Sequence, residues 1–322
     1  MKAIVQDAYG SADLLQLRDI DRPVPGDDEV LVEVRAAGVG PEVWHLMTGR
    51  PYVARAALGL RKPKNPVRGW DGAGRVEAVG AKVTDFKPGD EVFGNCEGSF
   101  AEYACAKAEK LAHKPVNLTF EQAAALPVSG MTALQALSGK SRPEPGQRVL
   151  VIGASGGVGT YAVQLATMYG AEVTGVCGPT AADFVRSQGA THVIDYTHED
   201  ITDAPHRYDV IIDNAGLRPL PVLRRALTPR GTLVIVGGEG GTGFFGGMSR
   251  GLRAVLLSPF ITQNLRNLIS IARREDLLTL KDLVEKGKIT PAIDRTYPLA
   301  EAAAAIRHLE TGHPQGKLVI TV

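Results

Sequence analysis

One segment limits the fold of this 322-residue chain more than any other: the glycine-rich stretch GASGGVG at residues 153–159. It directly follows an apolar run at residues 148–152, which predicts a buried strand. Residues 161–166 predict a helix that stops at Gly170. The chain therefore passes from a strand through a tight turn into a helix, which is how a strand–helix–strand unit begins.

The same alternation continues downstream. Helical segments are predicted at residues 121–126 and 132–137, and further helical stretches separate four more apolar runs, at residues 172–176, 192–195, 208–213 and 232–236. Strands that are buried on both faces and separated by helices are typical of a parallel sheet. We predict an α/β fold with a doubly wound parallel sheet in this part of the chain.

The first 114 residues have a different pattern. Short runs of period near two, at residues 2–5, 29–34 and 74–79, are separated by Pro and Gly clusters, as in a compact antiparallel β region. Residues 296–322 resemble this β-rich part, so we expect the C-terminus to return to the first domain. The predicted division is residues 1–125 and 290–322 in one domain and 126–289 in the other.

Composition and charge are those of an ordinary globular protein. Lys and Arg number 36 against 35 for Asp and Glu, so no strongly charged surface indicates a nucleic-acid partner. The first residues become polar too early for a signal peptide or a membrane span, and we expect a cytoplasmic protein without a membrane partner. The widely spaced Cys96, Cys105 and Cys177 fit free thiols better than a disulfide framework.

The glycine-rich segment predicts a dinucleotide site. A diphosphate can approach the first turn of a helix only where no Cβ blocks it, and glycine meets that need. An ordinary strand-to-helix turn would also use glycine, but the strand–helix units that follow favour a cofactor domain. The predicted cofactor contacts here are Ser155, Gly156, Gly157, Val158 and Gly159.

The end of the next strand predicts which nicotinamide cofactor binds. NAD sites place an Asp or Glu there, on the ribose hydroxyls. In this chain Cys177 is followed by Gly178, Pro179 and Thr180, and no carboxylate appears before Asp183. We therefore predict NADP (NADPH), with Cys177 and Thr180 at the site. Because no Lys or Arg stands at this turn, selectivity over NAD is expected to be modest.

Together these motifs resemble those of the medium-chain dehydrogenase/reductase superfamily, and within it the zinc-independent quinone oxidoreductase (zeta-crystallin-like) branch. The motifs are LPVSGMTA at residues 126–133, GASGGVG at 153–159, the stretch from Ala190 to Tyr196, and GKLV at 316–319. The resemblance covers the whole chain. It implies a GroES-like catalytic domain, a Rossmann cofactor domain, a cleft between them and a homodimer built by extending the Rossmann sheets.

The resemblance also shows where zinc-dependent relatives carry their ligands: a Cys soon after residues 36–39, a His-Glu pair near 69–71 and a four-cysteine loop near 95–110. This chain has Gly40, Trp70 with Asp71, and only two cysteines at those places. A catalytic zinc takes three protein ligands and a structural zinc four. We predict no metal site.

Further cofactor contacts follow from the resemblance. Thr132 matches a threonine near the nicotinamide, Tyr196 a tyrosine near the adenosine phosphate, and Lys317 a basic residue near the phosphates. Asn214 and the Gly237-Gly238 pair follow later strands, where open α/β sheets bind ligands. Asn and Gly are also common turn residues, which is the alternative explanation for the last three.

The substrate side departs most from the family. Relatives often carry Asn-Pro-x-Asp where this chain has Gly40-Pro41-Glu42-Val43. The polar role of that Asn is either lost or supplied by a neighbour. Tyr52 is the leading candidate to donate a hydrogen bond or a proton to the substrate, and His45 is the second. A pocket role is predicted for Trp44 and Trp70, and a cover over the cleft for Phe244 or Phe245 in the glycine-rich stretch that begins at Gly237.

The expected function is NADPH-dependent, zinc-free hydride transfer to a quinone or an α,β-unsaturated carbonyl, with protonation by Tyr52 or water. Two alternatives remain. The chain could reduce ketones or enoyl thioesters, or it could bind NADPH with little turnover as a sensor or structural protein, which the loss of a side chain at Gly40 would favour.

Overall fold

The computed structural model describes residues 1–237, 248–312 and 314–322. The strands are β1 (Lys2–Val5), β2 (Gln16–Asp19), β3 (Glu29–Val39), β4 (Asp71–Val79), β5 (Glu91–Asn95), β6 (Tyr103–Lys107), β7 (Leu111–His113), β8 (Arg148–Ile152), β9 (Glu172–Cys177), β10 (His192–Asp195), β11 (Tyr208–Asp213), β12 (Leu227–Ile235), β13 (Asn264–Asn267), β14 (Ile293–Pro298) and β15 (Lys317–Thr321). The helices are α1 (Pro41–Thr48), α2 (Arg55–Leu58), α3 (Phe120–Ala124), α4 (Pro127–Ala136), α5 (Gly157–Met168), α6 (Ala182–Ser187), α7 (Leu220–Ala226), α8 (Met248–Leu257), α9 (Arg274–Glu285) and α10 (Ala302–Glu310).

The chain divides into two compact units. Unit 1 contains Met1–Met131 and Ala272–Val322, and unit 2 contains Thr132–Ile271. The sequence placed the boundaries at residues 125 and 290, and both differ from the observed ones. The second boundary comes earlier because α9 belongs to unit 1, where the carbonyl of Val284 accepts a hydrogen bond from Asn117 (3.0 Å).

Unit 1 is built on a mostly antiparallel sheet with the order β14-β15-β3-β4-β5-β7, and β6 also pairs with β3. The C-terminal strand β15 lies antiparallel to β3, with Ile320 opposite Ala37. Alternate residues of these strands face a common core that includes Val32, Val39 and Leu318. This pairing brings Lys317 beside the end of β3 and the start of α1.

Unit 2 contains a fully parallel sheet with the strand order β10-β9-β8-β11-β12-β13. This is the Rossmann order, in which the direction of winding reverses between β8 and β11. The central strands are buried on both faces, as the continuous apolar runs predicted, with Leu150, Ile211 and Leu233 among the core residues. The carboxyl ends of β8 and β11 therefore meet at the switch point where such sheets bind ligands.

The predicted strands agree closely with the observed ones in unit 2, because apolar runs bounded by turn residues define them locally. In unit 1, β3 is longer than predicted and reaches Val39, since its small residues pair with both β15 and β4. In the described part of the chain no helix has the length and apolar character needed to cross a membrane.

Candidate functional site

The glycine-rich turn of unit 2 is shaped to leave a helix end uncovered. Gly153 has a φ of +75°, which glycine adopts without strain. A Cβ on Gly159 would lie 2.1 Å from the carbonyl oxygen of Gly153, so only glycine permits this close packing of α5 on β8. A Cβ on Gly156 would meet nothing nearer than the Gly153 carbonyl oxygen at 3.7 Å, so a side chain fits at this position.

The first turn of α5 is free to bind an anion. Gly156 occupies the N-cap position with no side-chain cap, and the first turn carries no acidic residue. Ser155, Gly157 and Val158 are partly exposed around it. The N–H groups at the start of a helix have no partner within the helix, and the helix dipole adds positive potential there. This end of α5 therefore has the properties that a diphosphate requires.

Asn214, at the switch point, has an unsatisfied amide. Its side-chain nitrogen and oxygen are buried, and neither has a hydrogen-bond partner among the described residues. Its backbone is fixed, because its N–H donates to Ile152 (3.1 Å) and its carbonyl oxygen lies only 1.8 Å from where a Cβ on Gly237 would be. Leaving both amide groups unpaired costs free energy unless a ligand satisfies them. Asn214 and the glycine turn thus fit a bound dinucleotide.

An ion pair that the sequence did not reveal involves Asp213, the residue before Asn214 in the chain. Arg250 of α8 lies 2.6 Å from the buried carboxylate of Asp213, and it donates to the carbonyls of Arg218 (2.9 Å) and Gly237 (3.1 Å). Asp213 also accepts from the N–H of Gly216 (3.1 Å). These contacts tie the loop after β11 to the end of β12 and so fix the rim of the site.

The end of β9 carries the residues predicted for the adenosine end of the cofactor. Cys177 is buried, Thr180 is exposed, and Tyr196 is 47% exposed with its hydroxyl 3.4 Å from where a Cβ on Gly178 would lie. The N–H of Tyr196 donates to the carbonyl of Cys177 (3.2 Å). The structure therefore brings these predicted residues together around Gly178.

A cation missed by the sequence prediction lies near this strand end. Arg186 of α6 pairs with Asp183 (2.8 Å) in an exposed i, i+3 ion pair. Burial and the negative charge of Asp195 raise the pKa of the Cys177 thiol, and the positive charge of Arg186 opposes that rise. The helical spacing of Asp183 and Arg186 was the available signal, since it puts both on one face of α6.

Four more predicted site residues are the cofactor contacts Thr132 and Gly238 and the pocket residues Phe244 and Phe245. Thr132 is buried on α4, at the first residue of unit 2. Gly238, Phe244 and Phe245 lie outside the described residues.

The predicted substrate residues of unit 1 do not all line the same cavity. Tyr52 is 41% exposed, with the Arg55 guanidinium 4.8 Å from its ring centre, and the Nδ1 atom of His45 lies 2.8 Å from the carbonyl of Arg50. Trp70 lines a cavity of about 410 Å³ in this unit. Trp44 does not line that cavity. Its indole N–H donates to Glu310 (3.0 Å) and its ring packs against the core, so the pocket role of Trp44 stays a prediction.

The same cavity has one strongly polar wall. Arg68 is only 3% exposed and donates to the carbonyls of Leu46 (3.0 Å) and Asn65. Burial lowers the pKa of this guanidinium below its usual range. Its Nε atom is buried without a hydrogen-bond partner in the described parts of unit 1. Tyr9 and Leu46 are among the other lining residues, so the cavity combines aromatic and apolar surface with a buried cation.

Lys317 does not have the environment predicted for a phosphate ligand. The side chain is 3% exposed, and its Nζ atom lies 3.1 Å from Glu42 Oε1, 3.8 Å from Asp71 Oδ2 and 3.4 Å from the Ser129 hydroxyl. An ammonium that is buried and paired with two carboxylates has little surface left for a phosphate. The predicted phosphate contact of Lys317 is therefore replaced by a buried charged network within unit 1.

Asp71 is the most deeply buried member of that network. It has no exposed surface, and its carboxylate accepts hydrogen bonds from Asn95 (3.1 Å) and from the N–H of Val128 (3.0 Å). Burial raises the pKa of Asp71 to about 8, although the Lys317 ammonium opposes the rise. The raised pKa means that burial favours the neutral form of the Asp71 carboxyl group, in contrast to an ordinary surface carboxylate.

The positions of the zinc ligands of metal-dependent relatives hold other residues. Gly40 has no side-chain donor atom, and the Trp70 indole can only donate a hydrogen bond. Cys96, Cys105 and Cys177 are free thiols. Among the described residues, no three His, Cys, Asp or Glu side chains are close enough to hold a metal ion.

Comparison with known proteins extends this picture. Residues 26–116 match the family of alcohol dehydrogenase GroES-like domains, and residues 188–320 match the zinc-binding dehydrogenase family. The chain is 33% identical to an NADPH-dependent alkenal/one oxidoreductase of Arabidopsis thaliana, over 99% of this chain and 79% of the relative. It is 32% identical to a chloroplastic quinone oxidoreductase of Triphysaria versicolor, over 99% of this chain and 98% of the relative. The solved structure of the quinone oxidoreductase from Coxiella burnetii superimposes with a TM-score of 0.87 at 30% identity, covering 100% of this chain and 99% of that one.

Proposed function

Because this chain belongs to the medium-chain dehydrogenase/reductase superfamily, as a quinone oxidoreductase-like member, we propose that it transfers hydride from NADPH to a quinone or an α,β-unsaturated carbonyl compound. The observation that carries the proposal is the junction of the glycine turn with Asn214. The uncovered start of α5 follows β8, and Asn214, whose side-chain amide is unsatisfied, follows the neighbouring strand β11.

The residues of unit 2 hold the cofactor. The N–H groups at the start of α5 bind the diphosphate, Asn214 supplies the donor and acceptor that it otherwise leaves unpaired, and Tyr196 and Thr180 border the adenosine end. When bound, NADPH supplies the hydride with its two electrons. In the turn after β9 no acidic residue precedes Asp183. On the neighbouring strand β10, Asp195 lies opposite Cys177, and Arg186 of α6, which is paired with Asp183, supplies the positive charge on this side of the sheet.

We further propose that the reaction needs no zinc. Three ligands for a catalytic zinc cannot come from Gly40, Trp70 and Asp71 together, because two of these side chains lack a metal-binding atom. A quinone or an enone is already polarised by its own carbonyl groups, so hydride can be accepted without a Lewis acid. A cytoplasmic location remains part of the proposal.

A homodimer is the proposed assembly, with α8 at its interface. Leu252 and Leu256 of α8 are 60% and 63% exposed, Val255 between them is 45% exposed, and Phe260 just after the helix is 85% exposed. These residues follow i, i+3, i+4 spacing and form an apolar face beside β13, the last strand of the sheet. A second copy of this chain would cover the face and continue the sheet.

The test is NADPH oxidation by the purified protein against a panel of acceptors, with EDTA present. The panel contains a 1,4-naphthoquinone, a 2-alkenal, an enoyl thioester and a saturated ketone, and a separate assay measures reduction of NADP by a primary alcohol. We expect turnover with the quinone or the alkenal and none with the alcohol. Turnover confined to the ketone or the alcohol, or activity abolished by EDTA, would contradict the proposal.

A further inference from the structure

The cavity of unit 1 has a wall that is largely apolar and aromatic. Its volume of about 410 Å³ lies within the range of small-molecule sites, about 300–1,000 Å³. Leu46, Leu58 and Trp70 are among the lining residues. The Tyr9 hydroxyl donates to the carbonyl of Gly59 (2.8 Å), which ties the loop after α2 to the rest of the wall. The cavity is therefore suited to a small apolar or aromatic ring.

Arg68 adds a buried positive charge to this wall. The residue is 3% exposed, and its guanidinium donates to the backbone carbonyls of Leu46 (3.0 Å) and Asn65. In the part of the chain that the structure describes, no carboxylate forms an ion pair with Arg68, and its Nε atom has no hydrogen-bond partner. A buried charge that has only uncharged partners is costly. An anion in the cavity would supply the missing opposite charge.

The other charged lining residues balance each other. Lys64 and Glu97 carry opposite charges and are both exposed, so water screens them. Burial lowers the pKa of Arg68, and the negative charge of Glu97 opposes that fall without forming an ion pair. Burial raises the pKa of Tyr9, so its hydroxyl stays neutral. The lining thus has one net positive charge, which a ligand with a single negative charge neutralises and a dianion exceeds.

The chain around the cavity is strongly basic. Residues 43–70 provide most of the lining, and they contain no Asp or Glu. In the whole chain, by contrast, 36 Lys and Arg nearly equal 35 Asp and Glu. A local excess of one sign of charge raises the local concentration of an oppositely charged ligand and speeds its association. The cations of this segment are Arg50, Arg55, Arg61, Lys62, Lys64 and Arg68.

We propose that this cavity is a binding site for a small monocarboxylate with an apolar or aromatic body, and that Arg68 is the residue that selects the negative charge. The apolar side chains contact the body of the ligand. The guanidinium attracts the carboxylate in surroundings with little water, where opposite charges attract each other more strongly than at the surface. The site lies within unit 1, so the inference holds whether or not the proposed hydride transfer takes place.

Nuclear magnetic resonance of the full-length protein can observe binding at this cavity directly. The chain contains two tryptophans, so isotope-labelled indole groups give two signals, which Trp44→Phe assigns. Trp70 lines the cavity and Trp44 does not. We expect 2-naphthoate to shift the Trp70 signal much more than the Trp44 signal. If it shifts neither signal, or mainly that of Trp44, the carboxylate does not enter the cavity and the inference fails.

The same Trp70 signal measures selectivity for charge. Two further probes share the naphthalene ring: 2-naphthamide, which is neutral, and 2-naphthyl phosphate, which is largely a dianion at pH 8. We expect the Kd of each probe, measured from the shift of Trp70, to be about tenfold higher than that of 2-naphthoate. A Kd for either probe equal to or below that of 2-naphthoate would overturn the assignment of a monocarboxylate.

Two glutamine substitutions separate the buried charge from the basic surroundings. Arg68→Gln removes the cation but keeps a side-chain N–H donor. It should raise the Kd for 2-naphthoate at least about tenfold and leave that for 2-naphthamide within about twofold. Arg61→Gln is the matched control, because Arg61 is an exposed cation of the same segment that does not line the cavity. It should change both values less than about twofold.

Wild-type affinity in Arg68→Gln, or equal weakening in Arg61→Gln, would show that Arg68 does not select the charge. If Arg68→Gln does not fold, the comparison of the three probes on wild type still decides whether the cavity prefers a monocarboxylate.

Discussion

At the scale of single residues, the buried Asp71 carboxyl links the stability of unit 1 to pH. Its pKa is raised to about 8 from an ordinary value of 3.8, so the folded protein binds more protons than the unfolded chain between these values. The stabilisation is complete below pH 4 and is lost progressively as pH rises towards 8. The neighbouring Asn95 can turn its amide, whose oxygen is now unpaired among the described residues, towards an amide at position 71.

Asp71→Asn should remove this pH dependence. Between pH 5 and pH 8, the free energy of unfolding should decrease more in wild type than in Asp71→Asn. We expect this difference to be about 1 kcal/mol or more. Urea denaturation at several pH values measures the difference. A constant difference across this range would show that Asp71 is ionised throughout.

Arg186 gives a second prediction at this scale. If its guanidinium contributes to binding the 2′-phosphate, Arg186→Gln should raise the Kd for NADPH about fivefold and leave the Kd for NADH unchanged. Arg230→Gln, a change at an exposed position of unit 2, serves as the control. Equal weakening of both cofactors would point to a loss of helix stability in α6 instead.

At the scale of elements, two substitutions at the start of α5 distinguish the effect of a negative charge on cofactor binding from the effect of side-chain size. Gly156 has φ −77° and ψ 175°, and a Cβ there would make only an ordinary contact at 3.7 Å, so Asp or Asn fits and caps the helix. Gly156→Asp should fold at least as stably as wild type but bind NADPH at least about tenfold more weakly, because a carboxylate repels the diphosphate. The isosteric Gly156→Asn should weaken binding much less. Equal affinity in both variants would mean that the diphosphate lies elsewhere.

The elements also show what the sequence could and could not predict. The strand before residue 153 and the glycines after it are defined by neighbours in the chain, so both the parallel sheet and the glycine turn were predictable. The network of Glu42 and Lys317 was not, since its partners are 275 residues apart and meet only through the pairing of β15 with β3. The hydrogen bond of Trp44 could not be predicted for the same reason, because its partner Glu310 is 266 residues away.

At the scale of the whole molecule, the exposed face of α8 predicts the assembly. Leu256→Glu should place a charge in the proposed interface and convert a dimer into a monomer, as measured by size-exclusion chromatography with light scattering. Val116→Glu changes an even more exposed apolar residue of unit 1 and should leave the mass unchanged. A monomeric wild type would remove α8 as an interface.

The account depends most on the transfer of hydride itself. NADPH carrying deuterium on the transferable face of its nicotinamide ring should deliver that deuterium to the β-carbon of a 2-alkenal, and the α-carbon should receive hydrogen from solvent. Mass spectrometry and proton NMR of the product locate both atoms. Deuterium at the β-carbon is the predicted result, whereas a reduced product with only solvent hydrogen at that carbon would contradict the proposed reaction.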